Sequence, residues 1–406
     1  MKIAPFRGYR YRAGGPRRDL SPVVAPPYDQ ITSKMRDRLY DMSPHNIVRV
    51  TYSRERDPYG SARLVLDRWL TEGVWAGEAQ PALYPYDQRY TAGGIPITRT
   101  GFIALGELAE YGRKIVLPHE RTHLGPKQDR MRLLEATGAD IGLLFMLVAD
   151  PDGAVRRTTA PIGTPIAEAT DLRGERHRLW RITDERAIRR AVELMAPKQA
   201  IIADGHHRYE TAVDYARQHP EAGDKLTAFF SLQAPGLTIL PNHRLVHHVD
   251  GFTLDDLVRR ARPWFDAYPL ADPLEFRPDN RTIGVVTARE ATVLRLRDEA
   301  FDTIAWPAER SHAWRELAVS ILHEGLLRPL LAITDDKLEA RTHVEYTADQ
   351  AEAVKVARQG EYQAAFLIAP TTAAELEAVV RGGELLPQKS THFYPKLLDG
   401  LVFHRY

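Results

Sequence analysis

The sequence predicts a mixed α+β fold arranged as two lobes. A chain of 406 residues exceeds the size that a single hydrophobic core usually serves. Hydrophobic residues make up 44% of the chain and charged residues 27%, which is typical of folded globular proteins. Helical and strand-like patterns are interspersed without a fixed repeat. We expect a main lobe at residues 1–250 and a second, C-terminal α/β lobe at residues 251–406.

Local signals assign the elements of the main lobe. Pro26 and Pro27 exclude a helix, because proline lacks a backbone donor and fixes φ. Elsewhere, β-branched runs indicate strands and apolar residues three or four apart indicate helices. In chain order we expect an extended segment at 25–29, a strand at 47–52, a helix at 60–72, a hairpin of 82–91 with 99–108, a helix at 125–138, a strand at 141–148, an exposed β region at 154–183, a helix at 184–195, a strand at 199–203, a helix at 206–217 and a strand at 227–232.

The second lobe follows from the same signals. The expected elements are a helix at 252–265, a hairpin of 282–288 with 292–296, helices at 311–322, 348–358 and 372–381, and strands at 364–368 and 401–404. The proline-bounded loop at 387–396 is expected to return to the functional site.

Composition excludes several classes of function. The 55 Lys and Arg residues nearly cancel the 54 Asp and Glu residues, so no overall charge attracts nucleic acid or an acidic membrane. The absence of cysteine rules out disulfides, thiolate nucleophiles and cysteine-ligated metals. The N-terminal residues lack a signal-peptide pattern, and the longest apolar run, 141–149, is too short to span a bilayer. These features predict a cytoplasmic protein without a membrane or nucleic-acid partner.

The strongest chemical signal is the string Asp204-Gly205-His206-His207-Arg208, which follows an apolar strand and opens a helix. Helix N-termini carry unpaired N–H groups and a positive dipole end, so they bind anions. Gly205 lets the backbone approach a ligand closely, and Arg208 offers a planar fork for phosphate oxygens. The histidines are able to move protons near neutral pH, while Asp204 suits a cap, a metal ligand or a general base. A capped helix with incidental histidines is the alternative.

A second polar segment runs from Leu117 to Lys127 and precedes a helix. Glu120 is a candidate general base, and Arg121 and Lys127 are candidates for contacts to phosphate. Loops before helices often carry catalytic groups. The alternative is a solvated loop with local ion pairs.

A third segment lies within the proline-bounded loop at 387–396. Lys389, Ser390, Thr391 and Lys396 would suit an anionic substrate or phosphate, and a surface-exposed tail is the alternative.

Two other polar clusters favour no function. The segment Arg173–Arg181 alternates charged residues, and we interpret it as a solvated face. The spacing of His243, His247 and His248 matches no standard metal motif.

Four strings along the chain resemble a large bacterial and archaeal family, the domain of unknown function 1015. They are Ala25-Pro26-Pro27-Tyr28-Asp29, Leu117-Pro118-His119-Glu120-Arg121-Thr122, Ala203-Asp204-Gly205-His206-His207-Arg208-Tyr209-Glu210-Thr211-Ala212 and Lys389-Ser390-Thr391-His392-Phe393-Tyr394-Pro395-Lys396. One departure is His392, where the family pattern leads us to expect tyrosine.

The Asp-Gly-His-His-Arg string is also similar to a motif of the ParB/sulfiredoxin-like superfamily, which includes free serine kinases. This resemblance implies a ParB/sulfiredoxin-like core and a kinase that transfers phosphate from ATP or ADP to a small hydroxyl acceptor, with free L-serine as the leading candidate. It places Asp204, Gly205, His206, His207 and Arg208 against the nucleotide phosphates. Glu120 would act on the acceptor hydroxyl, and Mg²⁺ would accompany the nucleotide with Asp204 as its protein ligand.

Two rival functions stay open on the sequence alone. One is a nucleotide-binding switch or DNA-associated protein of the ParB type, which the near-neutral charge does not favour. The other is a metal-dependent phosphohydrolase or nuclease that uses the same polar string. The sequence carries no P-loop and no protein-kinase signature set, so an ordinary kinase fold is excluded.

Overall fold

The computed structural model describes residues 1–12, 19–122 and 124–406, with only the backbone of Leu124 and Pro126. Helices and strands are mixed along the chain. The chain forms two compact units, and neither is a continuous stretch of sequence. Unit 1 comprises Met1–Pro118, Thr122–Leu237 and Pro395–Tyr406, and unit 2 comprises His119–Arg121 and Thr238–Tyr394. The expected lobes, by contrast, were continuous halves divided near residue 250.

The greater part of unit 1 comes from the first 237 residues. Its strands up to that point are β1 (Ile3–Ala4), β2 (Tyr9–Tyr11), β3 (Trp75–Gly77), β4 (Tyr84–Ala92), β5 (Ile95–Glu107), β6 (Val116–Leu117), β7 (Ala139–Asp140), β8 (Leu144–Val148), β9 (Ala167–Thr170), β10 (Arg176–Leu179), β11 (Ala200–Asp204) and β12 (Asp224–Ser231). Its helices are α1 (Ser33–Met42), α2 (Val48–Thr51), α3 (Pro58–Thr71), α4 (Leu124–Thr137), α5 (Ala154–Thr158), α6 (Glu185–Met195) and α7 (His206–Gln218).

A nine-stranded mixed sheet organises unit 1. Its order is β6-β11-β8-β12-β5-β4-β10-β9, with β1 paired to β5. The central pair, β8 and β12, is parallel, and both strands are almost entirely buried. Phe102, Met146, Ile202 and Phe229 belong to the core that covers this sheet. The β4–β5 hairpin turns through Gly93 and Gly94, both at positive φ, as a tight hairpin requires.

Unit 2 is built around a six-stranded antiparallel sheet and a short two-stranded one. Its strands are β13 (Thr238–Leu240), β14 (His243–Val246), β15 (Phe265–Pro269), β16 (Thr282–Val286), β17 (Ala291–Leu296), β18 (Val344–Thr347), β19 (Ala364–Leu367) and β20 (His392–Tyr394), in the orders β15-β17-β16-β19-β14-β18 and β13-β20. Its helices are α8 (Leu254–Ala261), α9 (His312–Arg315), α10 (Ala318–Leu322), α11 (Arg328–Leu331), α12 (Asp335–Glu339), α13 (Gln350–Arg358) and α14 (Ala373–Arg381), with a π-helical turn joining α10 to α11.

The last strand, β21 (His404–Arg405), pairs with β7 in unit 1. Phe403 is fully buried and stacks on Tyr9. Asp399 exchanges two backbone hydrogen bonds with Ala25. The segment Pro395–Tyr406 therefore completes unit 1 after the chain has passed through unit 2.

Of the strand expected at 401–404, only His404 lies in a strand, β21. Two expectations in the main lobe are also wrong. The segment 47–52 is the short helix α2 instead of a strand, because the side chain of Asn46 holds its start and its β-branched residues are buried. The region 154–183 begins with helix α5, whose first N–H groups bind the Asp150 carboxylate, and only β9 and β10 are strands.

The helices were compared with the length and hydropathy of membrane-spanning segments. None of those in the described residues has both the length and the apolar character needed to cross a bilayer.

Candidate functional site

The predicted phosphate site lies in unit 1, at the junction of β11 and α7. The apolar strand β11 is buried except at its last residue, Asp204. Gly205 follows at φ 98°, and no side chain caps the first turn of α7. A Cβ atom at this position would lie 2.8 Å from Leu144 and 3.0 Å from the Arg208 Nε atom. Only glycine therefore fits both the backbone conformation and the space.

Asp204 lies between two cations. Its Oδ2 atom is 3.5 Å from the Lys396 Nζ atom and 3.6 Å from the Arg208 Nη2 atom. The Lys396 and Asp204 side chains keep 18% and 20% of their surface exposed, so a ligand in solvent reaches this pair. Lys396 comes from the segment that returns to unit 1 after unit 2.

Arg208 points inward. Its side chain is 8% exposed, and its Nη1 atom donates a 2.6 Å hydrogen bond to the carbonyl oxygen of Leu143. Burial lowers the pKa of this guanidinium, but the charges of Asp204, Asp29 and Asp399 outweigh it and raise the pKa. Arg208 is therefore a permanent buried cation that also anchors α7 to the sheet.

A cavity of about 60 Å³ with both apolar and charged walls lies behind Arg208. Its polar walls include Tyr28, Arg130, Asp140, Arg208, Lys225 and Asp399.

Charged groups pair across this cavity. Lys225 forms an ion pair with Asp140 and donates to the Gly142 carbonyl oxygen at 2.9 Å. Burial raises the pKa of Asp399 to about 7, although Arg208 and Arg130 oppose that shift. At neutral pH, Asp399 is thus close to its midpoint of ionisation.

Helix α7 is tied to α4 and to the residue Thr122 before it through Glu210. The Glu210 Oε2 atom accepts hydrogen bonds from the Thr122 Oγ1 atom at 2.7 Å and from the Lys127 Nζ atom at 2.9 Å. Lys127 also lies 3.3 Å from Asp214. The predicted phosphate ligand Lys127 is therefore paired with two carboxylates of α7. Of the two histidines, His206 is buried and His207 is half-buried.

The other predicted residues of the second segment lie in unit 2. His119 is buried, and its Nε2 atom lies 2.9 Å from the Thr391 Oγ1 atom. Glu120 lies beside it, with carboxylate oxygens 3.9 Å from His119 Nε2 and 4.0 Å from Lys389 Nζ. Arg121 is exposed.

The loop that carries Lys389 and Ser390 is held within unit 2. The Lys389 carbonyl oxygen accepts hydrogen bonds from Asn242 and from the fully buried Arg244. The Ser390 hydroxyl donates to the Pro387 carbonyl oxygen, so it closes the turn of its own loop. Lys389 adopts φ 55°, which matches this tight turn.

The structure thus groups the predicted residues by unit. Asp204, Gly205, Arg208 and Lys396 lie together in unit 1, and Glu120, Lys389 and Thr391 lie together in unit 2.

Sequence reasoning missed several residues of these groups: Tyr28, Asp29, His119, Arg130, Glu210, Lys225 and Asp399. Four of them stand in the quoted family strings, which was the available signal: Tyr28, Asp29, His119 and Glu210. Lys225 and Asp399 carry no local signal, because only the folded topology brings them to Arg208.

A larger cavity lies elsewhere. It measures about 330 Å³, belongs to unit 2 and is lined by residues that include His248, Arg260, Lys337 and His343. None of the predicted site residues lines it.

The solved structures that match this chain do so with low TM-scores. A conserved hypothetical protein from Pyrococcus furiosus gives a TM-score of 0.36 at 11% identity, covering 70% of this chain and 90% of that one. A free serine kinase in complex with AMP gives 0.36 at 12%, covering 69% and 83%. SbnI with a C-terminal truncation, from Staphylococcus aureus, gives 0.38 at 12%, covering 73% and 85%. At these scores the chemistry of the site rests on this chain's own residues.

Sequence comparison assigns the family directly. No curated protein sequence matched the chain. The family model described as "Protein of unknown function (DUF1015)" matches residues 3–320, which is most of the 406 residues. The chain therefore belongs to the DUF1015 family.

Proposed function

We propose that this chain is a cytoplasmic phosphotransferase that moves a phosphate group from ATP or ADP to the hydroxyl of a small metabolite, with free L-serine as the leading acceptor. The observation that carries the proposal is the start of α7, where Gly205 opens a helix without a side-chain cap beside the Asp204–Lys396 pair. The proposal includes a ParB/sulfiredoxin-like core for unit 1, on the resemblance of the Asp204–Arg208 string.

Charge around α7 supports an anionic ligand. The N–H groups of the first turn and the helix dipole favour phosphate oxygens. Lys396 is the cation that a nucleotide can reach, since its ammonium is partly exposed and is held by one carboxylate at 3.5 Å. Arg208 contributes a fixed positive potential from inside the protein, because its guanidinium is buried and bonded to Leu143.

Asp204 is the protein ligand that we propose for Mg²⁺. A carboxylate flanked by two cations does not fit a resident metal, whereas Mg²⁺ that arrives with a nucleotide needs only one or two protein carboxylates. Asp204 fits that second case. When bound, the ion would neutralise charge on the phosphates.

Glu120 is the group that we propose to take the proton from the acceptor hydroxyl. Its carboxylate keeps 25% of its surface exposed, so a small substrate is able to reach it. The His119 Nε2 and Lys389 Nζ atoms lie 3.9 and 4.0 Å from its two oxygens. Along the chain, only Arg121 stands between Glu120 and Thr122, whose hydroxyl binds Glu210 on α7.

A product assay tests the proposal. The full chain is incubated with ATP or ADP, Mg²⁺ and L-serine, and phosphoserine and free phosphate are measured separately. We expect phosphoserine from the wild-type chain and a loss of about 100-fold or more in kcat for Glu120→Gln, which is typical for removal of a general base. Glu72→Gln, at an exposed position on unit 1, is the matched control.

The two rival functions predict different products. Release of phosphate without phosphoserine would replace the kinase by a phosphohydrolase. Salt-sensitive DNA binding without nucleotide turnover would replace it by a DNA-associated protein.

A further inference from the structure

The hairpin of β9 and β10 contains a cluster of polar side chains on one face of the sheet. The alternating charges of the segment Arg173–Arg181 did not predict this cluster. Arg173 and Arg176 are exposed, as expected of a solvated face, but Glu175 and His177 are buried. Both turn toward Asp171 at the start of the hairpin turn. The same strand therefore presents arginines to solvent and metal-ligating residue types to the interior of unit 1.

The three side chains converge. One donor atom from each of Asp171, Glu175 and His177 lies within 4.8 Å of the other two. The Asp171 Oδ2 atom is 3.7 Å from the His177 Nε2 atom. Two tetrahedral ligands bound at about 2.1 Å would be separated by about 3.4 Å, so this pair needs only a slight closing movement to share an ion.

Two buried polar atoms of these side chains lack a hydrogen-bond partner. His177 is 0% exposed and its Nε2 atom has none, and Glu175 is 5% exposed and its Oε1 atom has none. Buried polar atoms of this kind are costly, because they have given up water without a replacement. A cation at the centre of the cluster would satisfy both.

The surroundings orient the cluster. The hydroxyl of Tyr86 lies 2.6 Å from the His177 Nδ1 atom, and if Nδ1 donates that hydrogen bond, Nε2 keeps its lone pair for an ion. The Asp171 Oδ1 atom accepts the N–H groups of Arg173 and Glu175, which leaves Oδ2 to face the histidine.

Two arginines of the hairpin are engaged elsewhere, whereas the charges of Arg173 and of the buried Arg99 act on Glu175. Arg176 pairs with Glu168, and Arg178 pairs with Asp87. Within the described residues, this is also the one group of three or more His, Asp or Glu side chains with such convergence.

We propose that Asp171, Glu175 and His177 form a binding site for a divalent transition-metal ion, Zn²⁺ or Mn²⁺ being the leading candidates. Two carboxylates and one imidazole are the mixed oxygen and nitrogen donor set that these ions take, whereas the imidazole disfavours Mg²⁺ and Ca²⁺. Its role is structural: the ion fixes the β9–β10 hairpin at the end of the nine-stranded sheet. The site is independent of the proposed kinase function.

Metal uptake by the full chain tests the site. The purified protein is stripped with a chelator, exposed to Zn²⁺ or Mn²⁺ and desalted, and its metal content and thermal unfolding temperature are measured. We expect one ion per chain and a higher unfolding temperature in the loaded protein. Glu175→Gln should retain the fold, since it replaces a buried carboxylate by a neutral group of the same size, yet it should lose the ion and the thermal shift.

Two further variants test whether uptake of the ion depends on this cluster and not on other carboxylates nearby. Asp171→Asn keeps the Oδ1 acceptor of the turn and should also lose the ion, whereas Glu168→Gln on β9 should bind it like the wild type. If the wild-type chain takes up neither metal, or if Glu175→Gln binds it equally well, the cluster is a pair of carboxyl groups that share a proton and the metal site is rejected.

Discussion

Gly205 shows at the scale of one residue how backbone geometry and the site depend on each other. Its positive φ turns the chain from β11 into α7, and its missing Cβ leaves room for Leu144 and for the Arg208 guanidinium. A side chain here would displace the cation that lies under the first turn of α7. Backbone shape and buried charge are therefore fixed by the same residue.

We predict that Gly205→Ala destabilises the protein by about 1–3 kcal/mol, the usual cost of a non-glycine residue in a strained left-handed conformation, with the clash against Leu144 added. Chemical denaturation measures the loss. Gly93→Ala is the control, because Gly93 also has a positive φ, of 55°, but has no atom within 4 Å of the added Cβ. Equal losses in both variants would show that the contact with Leu144 and Arg208 has no energetic weight.

Asp399 predicts a pH dependence of stability. Burial holds its folded-state pKa at about 7, well above the ordinary value of 3.8, so the native state prefers the protonated carboxyl. That contribution is fully present below pH 3.8 and is lost as the pH rises through 7. Arg208, Arg130 and Lys225 favour the ionised form, and Asp29 disfavours it.

Asp399→Asn should therefore gain stability relative to the wild type as the pH rises from 4 to 7, with a slope of up to about 1.4 kcal/mol per pH unit. Denaturant titrations at several pH values measure the difference, and Asp336→Asn, an exposed change in unit 2, serves as the control. Parallel curves for the wild type and Asp399→Asn would contradict the shifted pKa.

At the scale of elements, prediction from sequence succeeded where local signals and tertiary contacts agree. The β4–β5 hairpin is confirmed, because its two glycines supply the positive φ values of the turn. Helix α7 is confirmed at 206–218, because its apolar spacing matches the face that it buries. The string 204–208, which carries the proposed chemistry, could be placed at the start of a helix because the spacing of apolar residues in α7 predicted that helix.

The strand prediction for residues 47–52 failed because residues distant in sequence determine the conformation of this segment. Its sequence, Val48-Arg49-Val50-Thr51, favours a strand on intrinsic preference. Asn46 overrides that preference, since its side chain accepts from the Val48 N–H and donates to the carbonyl oxygens of Pro22 and Val24. No window of local sequence contains both halves of this network.

We predict that Asn46→Ala destabilises unit 1 by about 2 kcal/mol or more, because the fully buried side chain makes three hydrogen bonds and its removal leaves buried partners unsatisfied. Thermal or chemical unfolding tests this. A loss below about 0.5 kcal/mol, typical of a surface change, would mean that burial of the valines alone holds α2.

At the scale of the whole molecule, chain order and compact units do not coincide. Three residues, His119–Arg121, belong to unit 2 while their neighbours on both sides belong to unit 1. The segment Pro395–Tyr406 belongs to unit 1 although it follows all of unit 2. Periodicity and composition describe neighbours in sequence, so neither feature leaves a local signal. The return of the loop 387–396 was expected from its bounding prolines, but its pattern did not show that Lys396 would be the residue beside Asp204.

Reciprocal core variants test this division. Phe403→Ala in the returning segment should cost about 3–5 kcal/mol, as is usual for a buried phenylalanine, and should accelerate amide hydrogen exchange first in unit 1. Phe366→Ala, at an equally buried position on β19, should accelerate exchange first in unit 2. Exchange that rises uniformly in both variants would show that the units unfold as one.

The late position of Pro395–Tyr406 bears on synthesis by the ribosome. Unit 2 has all its residues once Tyr394 has left the exit tunnel, whereas unit 1 still lacks Phe403 and β21 at that moment. Part of the apolar surface of unit 1 therefore stays uncovered until all of unit 2 has been translated. Incomplete domains of this kind are the ones that chaperones bind, so the nascent chain is vulnerable to aggregation until residues 395–406 emerge.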